Sequence, residues 1–485
     1  MKEQEKNKFK TGPILTVLLI GAIAAILNQT VLNVALPTLT TEFNVSSTTA
    51  QWLITLYMLV NGVFIPVTAF LMARFSTRQL FFTSMIVFSI GTILCGAAPS
   101  FAILLTGRVI QAIGAGIVMP LLISVVFRLF PREKRGAAMG IVGVAIMIAP
   151  ALGPTLSGLL ITTLSWRYIF FAILPFSLAA LIGSFFVLKN VSEPTSAKLD
   201  ILGVITSTFG FGGILYGFGI AGKAGWGSMT VLISLTIGVI SLILFVVRQL
   251  NAEEPLIDLK IFKSIEFTFS VVIIFFVNGL TYASMILIPI YLQNNRGMSA
   301  LDSGLFLLPG SIAMAIMSPI VGRMYDRYGI KWIGLFGTFV LVVTTAFYTN
   351  LTYTSGIVFL AFIYVVRSIG LTFLLMPLTT AGLNSLKSNL YGDGTAMQNT
   401  IQAIAGAIGT AVMMTIMTTQ TNLFVKKTDV GNPTPEQLSV ISSDGLLHGI
   451  NSAFLGATTF GVIAFGAMIM LAISIHKRSK TVAAE

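Results

Sequence analysis

Two stretches, "PVTAFLMARFSTR" at residues 66–78 and "PIVGRMYDRYGIK" at residues 319–331, align without a gap. Pro66 falls on Pro319, Ala69 on Gly322, Arg74 on Arg327, Phe75 on Tyr328 and Arg78 on Lys331, at a constant spacing of 253 residues. Each copy starts apolar and ends basic, which is how a membrane helix reads where it leaves the bilayer on the side that retains Lys and Arg. A chain that repeats such an exit is expected to be built from two related helical halves.

The composition agrees. Of 485 residues, 55% are hydrophobic and 9% charged, against about a quarter charged in a soluble domain. Runs of ~18 to 25 apolar residues can cross ~30 Å of hydrocarbon. Fourteen begin near residues 14, 51, 80, 102, 136, 167, 200, 228, 266, 302, 332, 355, 394 and 450. They are too long for barrel strands, and a backbone in lipid must satisfy its own hydrogen bonds, so the expected class is an all-α integral membrane protein. Lys2, Lys6, Lys8 and Lys10 precede an apolar run longer than a signal peptide's and without an obvious cleavage site, so that run reads as the first span. The single cysteine, Cys95, leaves no internal disulfide.

The net charge of +12 has a topological explanation. With a cytoplasmic N-terminus, inner segments hold 22 of the 29 Lys and Arg residues, among them Arg132, Lys134, Arg135, Arg323, Lys477 and Arg478. Outer segments hold Arg167, Lys223, Arg296, Lys426 and Lys427, while Arg108 and Arg367 fall inside spans. This asymmetry follows the positive-inside rule and needs no nucleic-acid partner; an even span count puts both termini in the cytoplasm. Two six-helix halves alone would repeat after about 200 residues, and the surplus fits two extra central helices. The expected organisation is a tail at 1–13, a six-helix bundle at 14–190 and two added helices at 199–249. A second bundle follows at 264–476, with an extracellular loop at 421–449 and a tail at 477–485.

At this point the chain resembles the major facilitator superfamily, in particular its fourteen-helix drug:proton antiporter group. The stretches "LNQTVLNVALP" (27–37) and "FSTRQLF" (75–81) are similar to its lincomycin-resistance multidrug branch. The resemblance implies that the Asp and basic residues after the second helix of a half latch an inner gate. The C-terminal copy has Gly322, Asp326, Arg327, Gly329 and Lys331; in the N-terminal copy Ala73 and Ser76 replace the Asp and the Gly, leaving Arg74 and Arg78. A carboxylate among arginines can pair in one state and separate in the other.

Three further stretches carry the resemblance. "GRVIQAIGAGIVMP" (107–120) places Arg108 and Gln111 in the family's Arg-x-x-Gln pattern, and Arg367 in "VVRSIG" is its counterpart in the other half. A membrane-embedded arginine costs roughly 2.5 to 3.5 kcal/mol even on the mild insertion scale, so each should face a partner or a wet cavity. "APALGPTLSG" (149–158) resembles the antiporter signature, implying a role in conformational exchange and proton-coupled export. Ala145, Ala149, Gly153 and Ser157 share a small-residue face suited to helix packing, while Pro150 and Pro154 permit a bend. "SWRYIFFAILP" (165–175) suggests that Trp166 and Tyr168 anchor in an interfacial aromatic belt.

A substrate cavity is expected at the midplane between the halves. Gln29 and Asn33 share one helix face, whereas Asn28 lies with Gly21, Ala24, Ala25 and Ala35 on a small-residue packing face. Asn61, Gln111, Asn278, Gln398 and Gln402 are further cavity candidates, with Arg108 and Arg367. Such a lining is neutral to positive and suits neutral or amphipathic compounds. Proton antiport, which the resemblance implies, needs a titratable group. Many members of the group have Asp where this chain has Asn28, and an amide cannot substitute for it. The acidic residues lie in tails, loops or near helix ends, and Glu266 and Asp393 are the coupling candidates. The alternatives are drive by the substrate gradient or another ion, or a proton carried by the exported base.

No HExxH, GxSxG, Walker or paired-cysteine motif is present, so neither an enzyme activity nor a cofactor or metal is expected. The function expected is multidrug efflux by a multi-pass protein of a bacterial cell membrane, a monomer whose partners are small-molecule drugs, protons and the lipid bilayer. A dedicated exporter of a lipid, peptide or metabolite and a non-transporting membrane sensor are the alternatives.

Overall fold

The computed structural model describes residues 11–191, 200–428 and 434–484. The side chains of some helical residues, including Asn33, Pro150, Pro154, Lys223, Lys477 and Arg478, lie outside the described residues. The long helices are α1 (Thr11–Glu42), α2 (Trp52–Arg74), α3 (Thr77–Gly96), α4 (Phe101–Leu129), α5 (Arg135–Thr163), α6 (Leu174–Val187), α7 (Ile201–Ala224) and α8 (Met229–Asn251). They continue as α9 (Ile265–Ile290), α10 (Ala300–Tyr328), α11 (Ile330–Ala346), α12 (Ile357–Asn384), α13 (Tyr391–Lys427) and α14 (Pro435–Ala484). Thirteen spans among the described residues are long and apolar enough to cross a membrane. α5, with 29 residues, is a further long helix. The repeated stretches lie at equivalent places: α2 and α10 each contain the aligned proline, Pro66 or Pro319, and end at the aligned basic residues.

Polar residues between apolar runs start these helices by accepting from otherwise unpaired first-turn amides. Ser76 and Gln79 form a capping box on α3, and Ser264 accepts from Phe267 N–H on α9. The stretch expected as an extracellular loop at 421–449 is largely helical instead. α13 runs to Lys427 and α14 begins at Pro435. Gln437 N–H donates to Thr434 Oγ1 at 3.3 Å while Thr434 N–H donates to Gln437 Oε1 at 3.0 Å, a reciprocal cap ahead of a proline that needs no N–H there. The expected tail at 477–485 likewise continues α14 as far as Ala484. The sixth span is broken into Tyr168–Phe171 and α6, whose Pro175 at the helix start offers no hydrogen-bond donor to the preceding turn.

Apolar packing divides the molecule unequally. One buried cluster joins α1 to α5 with Phe267, Val271, Leu383, Tyr391 and Ala396, so the halves share a core at the end where Asp326 lies. At the opposite end of the N-terminal half, the cluster around Leu53, Leu104 and Phe170 draws on that half alone. Trp166, expected at the lipid interface, belongs to that cluster and is 3% exposed, because Phe43 and Phe170 pack edge-on against its ring. Tyr168 remains exposed.

Small residues let backbones meet. In the added pair, a Cβ on Gly213 would stand 2.8 Å from Gly238 Cα. Between α9 and α13, a Cβ on Gly409 would overlap the backbone of Gly279. Gly409→Leu is expected to lower stability by about 1 to 3 kcal/mol through overpacking, read as an earlier thermal unfolding transition in detergent; an unchanged transition would contradict this close crossing.

Candidate functional site

At the shared-core end, α5 of one half crosses α10 of the other. Gly136 and Gly322 sit where any Cβ would strike the opposing backbone, and Ser318 donates to Gly140 O at 2.8 Å. This crossing brings Asp326 to the start of α5. Gly136 N–H donates to Asp326 Oδ1 at 2.7 Å and Ala137 N–H to Oδ2 at 2.8 Å. The carboxylate thus meets first-turn amides that lack helical partners, where the helix dipole also favours negative charge.

Arg135, read from the sequence as an inner topogenic charge, is a second bond between the halves. Its Nη1 donates to Asn384 Oδ1 at 2.6 Å and to Tyr391 Oη at 3.1 Å, while its Nε donates to Phe130 O at 3.1 Å. The guanidinium also lies over the Phe127 and Tyr391 rings, 4.8 and 5.1 Å from their centroids. Asn384 in turn donates to Tyr325 Oη at 3.3 Å. Glu266, in the first turn of α9, is among the charges that act on that same tyrosine.

The other basic residues of the repeat do different work. Arg78 Nη2 donates to Phe185 O at 2.6 Å and so joins α3 to α6 within one half. Arg327 and Lys331 lie over the rings of Tyr328 and Trp332. Arg74 is exposed at the end of α2, and Gly329 adopts φ +68° in the turn between α10 and α11.

Two buried arginine centres occupy the fourth helix of each half. Arg108 is 0% exposed, and its Nε donates to Leu53 O at 3.2 Å. Its Nη1 donates to Asn28 O at 3.3 Å and Gln111 Oε1 at 3.1 Å. The Tyr57 ring lies 4.1 Å from the guanidinium carbon, a desolvated cation–π contact. Gln111 is held by its own bond to Thr92 Oγ1 at 2.9 Å, and the buried Asn28 side chain lies beside Tyr57. Arg367 donates to Ser284 Oγ at 2.9 Å and Thr345 Oγ1 at 3.4 Å, near Tyr348 and Tyr364. Among the described residues neither arginine has a carboxylate partner. Carbonyls, hydroxyls, an amide and aromatic faces hold both cations.

The remaining candidates separate. Gln29, Asn61 and Gln402 are half-buried, and Asn28, Ala145, Ala149 and Ser157 are buried. A Cβ on Gly153 would overlap Thr30 of α1, so that part of α5 packs within its own half. The side chains of Asn33, Pro150 and Pro154 lie outside the described residues. Asn278 spends its Nδ2 on Ile274 O of its own helix at 2.9 Å. Gln398 is 1% exposed between α9 and α12. Asp393 is half-buried near Asp258, on the segment entering α9.

The fold and these two centres define a membrane transporter built from two homologous halves. The family model described as Major Facilitator Superfamily matches residues 18–410, and the chain belongs to that superfamily. It is 47% identical over 434 residues to the Bacillus subtilis uncharacterized MFS-type transporter YhcA, covering 89% of this chain and 82% of that one. It is 41% identical over 472 residues to the lincomycin resistance protein LmrB of Bacillus subtilis, covering 97% and 98%. Among solved structures, the human organic anion transporter MFSD10 (TETRAN) superposes with a TM-score of 0.64 over 94% of this chain and 99% of that one, at 14% identity. The chain is a multi-pass membrane protein.

Asp326→Asn weakens the acceptor that holds the α5 amides. Hydrogen exchange of the segment from Arg135 to Gly140 is expected to accelerate by about tenfold, the equivalent of ~1.4 kcal/mol; exchange equal to the parent protein would contradict the latch.

Proposed function

We propose that this protein exports neutral or amphipathic drugs from the cell by proton antiport. It acts as a monomer in the bilayer with fourteen spans and both termini in the cytoplasm, and neither catalyses a covalent reaction nor binds nucleic acid. The observation that carries this reading is the unequal meeting of the halves. They are latched by Asp326 and Arg135 and share apolar core at one end, while the cluster at the other end draws on the N-terminal half alone. Alternating access requires such a conformation, closed on one side and able to part when the latch is released. The basic residues around the latch assign the closed end to the cytoplasm by the positive-inside rule.

The neutral-to-positive polar groups support the substrate class. Arg108 and Arg367 have no acid among the described residues, so organic cations would meet no fixed counter-charge beside them. The similarity to a lincomycin resistance protein supports drug export. For coupling, the candidates are Glu266, in the first turn of α9, and Asp393, near the segment entering α9.

Purified protein in liposomes is expected to move lincomycin against its gradient when a pH gradient is imposed, and cells carrying the gene should tolerate more of the drug. Glu266→Gln and Asp393→Asn should each reduce the gradient-driven rate by about tenfold, the scale of one lost pK-unit interaction. Parent-like rates for both would remove the carboxylates from the coupling mechanism, and no gradient-dependent flux by the parent protein would contradict antiport.

A further inference from the structure

Three buried polar atoms at the inner end of the C-terminal half have no hydrogen-bond partner: Ser270 Oγ, Gln398 Oε1 and Gln398 Nε2. Both side chains are nearly inaccessible, at 0% and 1% exposure. They come from different helices, α9 and α13, and meet at Gly382 of α12. Measured from the point where a Cβ on Gly382 would lie, Gln398 Nε2 is 2.8 Å away and Ser270 Oγ 3.4 Å. Orphaned polar groups of this kind are expensive in a low-dielectric interior, and an internal water commonly satisfies two to four of them.

The position of the cluster gives it a direction. Ser270 is one helical turn above Glu266 on the same face of α9, and Gln402 is one turn above Gln398 on α13. Glu266 lies in the first turn of α9 and Gln402 is half-buried deeper in the bundle. A polar file therefore climbs from the inner surface as Glu266, Ser270, Gln398 and Gln402. Apolar neighbours flank it: a Cβ on Gly394 of α13 would lie 3.4 Å from the Phe267 ring, and Phe267, Val271 and Ile274 are buried. Tyr325, on which the charge of Glu266 acts, also feels Asp326 of α10 and Arg135 at the start of α5.

We propose that Ser270 and Gln398 hold a buried water and form with Glu266 a proton relay through the C-terminal half, linking the drug cavity to the cytoplasm. The proposal rests on the antiport reading. A proton arriving on the water from the Gln402 side is passed along hydrogen bonds to the Glu266 carboxylate, which becomes the neutral acid. When the inner end opens, that proton leaves to cytoplasmic water and the carboxylate is restored. Neither amide nor hydroxyl changes its net protonation; their part is to position the water.

The test uses the full-length protein in liposomes, with lincomycin as the transported probe. Ser270→Ala and Gln398→Met remove the polar atoms at nearly constant volume. Each should lower pH-gradient-driven lincomycin flux at least tenfold, and Ser270→Ala should leave lincomycin exchange at equal pH on both sides within about twofold of the parent. Exchange needs binding and conformational change but no net proton movement, so a merely structural role would depress both. Equal loss in the two assays, or unchanged gradient-driven flux in both variants, would overturn the relay. Absence of gradient-driven flux in the parent protein would overturn the antiport reading, and the relay with it.

Discussion

The carboxylate of Asp326 at the N-terminus of α5 is the contact on which the arrangement of the two halves depends. It joins a charge on one half to backbone amides on the other, and both of its oxygens are engaged. A carboxylate at a helix start contributes about 0.3 to 2 kcal/mol. That is enough to bias a two-state equilibrium and small enough for substrate or proton binding to offset. A larger interaction would lock the protein. The close crossing at Gly136 and Gly322 makes the contact possible, because a side chain at either position would hold the carboxylate away from the amides. Arg135 adds a second bond across the junction through Asn384 and Tyr391, so the latch has an anionic and a cationic arm.

The buried arginines complement this design. Their charge lies inside each half, where neutral acceptors and aromatic faces solvate it, and so they stiffen the fourth helices without joining the halves. The halves are equivalent in the position of these centres and unequal in their latches. The N-terminal repeat has Ala73 where Asp326 stands in the other copy, and its Arg78 is committed to α6. One charged contact joins the two related halves at this end, and in the proposed cycle a single event would release it.

Much of the architecture was legible in the sequence, because a helix that must span hydrocarbon announces itself by length and apolarity. The repeat at residues 66–78 and 319–331 placed the halves, and the energetic cost of an embedded charge identified Arg108 and Arg367. The partner of Asp326 was not legible. The sequence suggested arginine side chains, whereas the actual donors are backbone amides, which every residue possesses. Gly136, small enough for a close crossing, was the available signal. Arg135 was hidden among other basic residues that share its topogenic pattern. The loop at 421–449 was misread because its Pro, Asn and Ser suggested turns, although Thr434 and Gln437 already spell a helix cap. Trp166 looked interfacial by residue type, and its burial depends on Phe43 and Phe170, both distant in sequence or hidden by an apolar run.

In the proposed cycle the latch holds the inner end closed, and its release opens that end while the outer end closes. Electron–electron distance measurements report both ends in one experiment, using spin labels on cysteines at exposed Arg132 and Arg323 for the inner ends of α5 and α10. Exposed Thr163 and Leu301 serve for their outer ends. Native Cys95 is buried and does not compete. A short inner distance is expected in the parent protein; with Asp326→Asn, a longer inner population should appear together with a shorter outer one. Identical distance distributions in the two proteins, or an inner end that lengthens with no change outside, would contradict it.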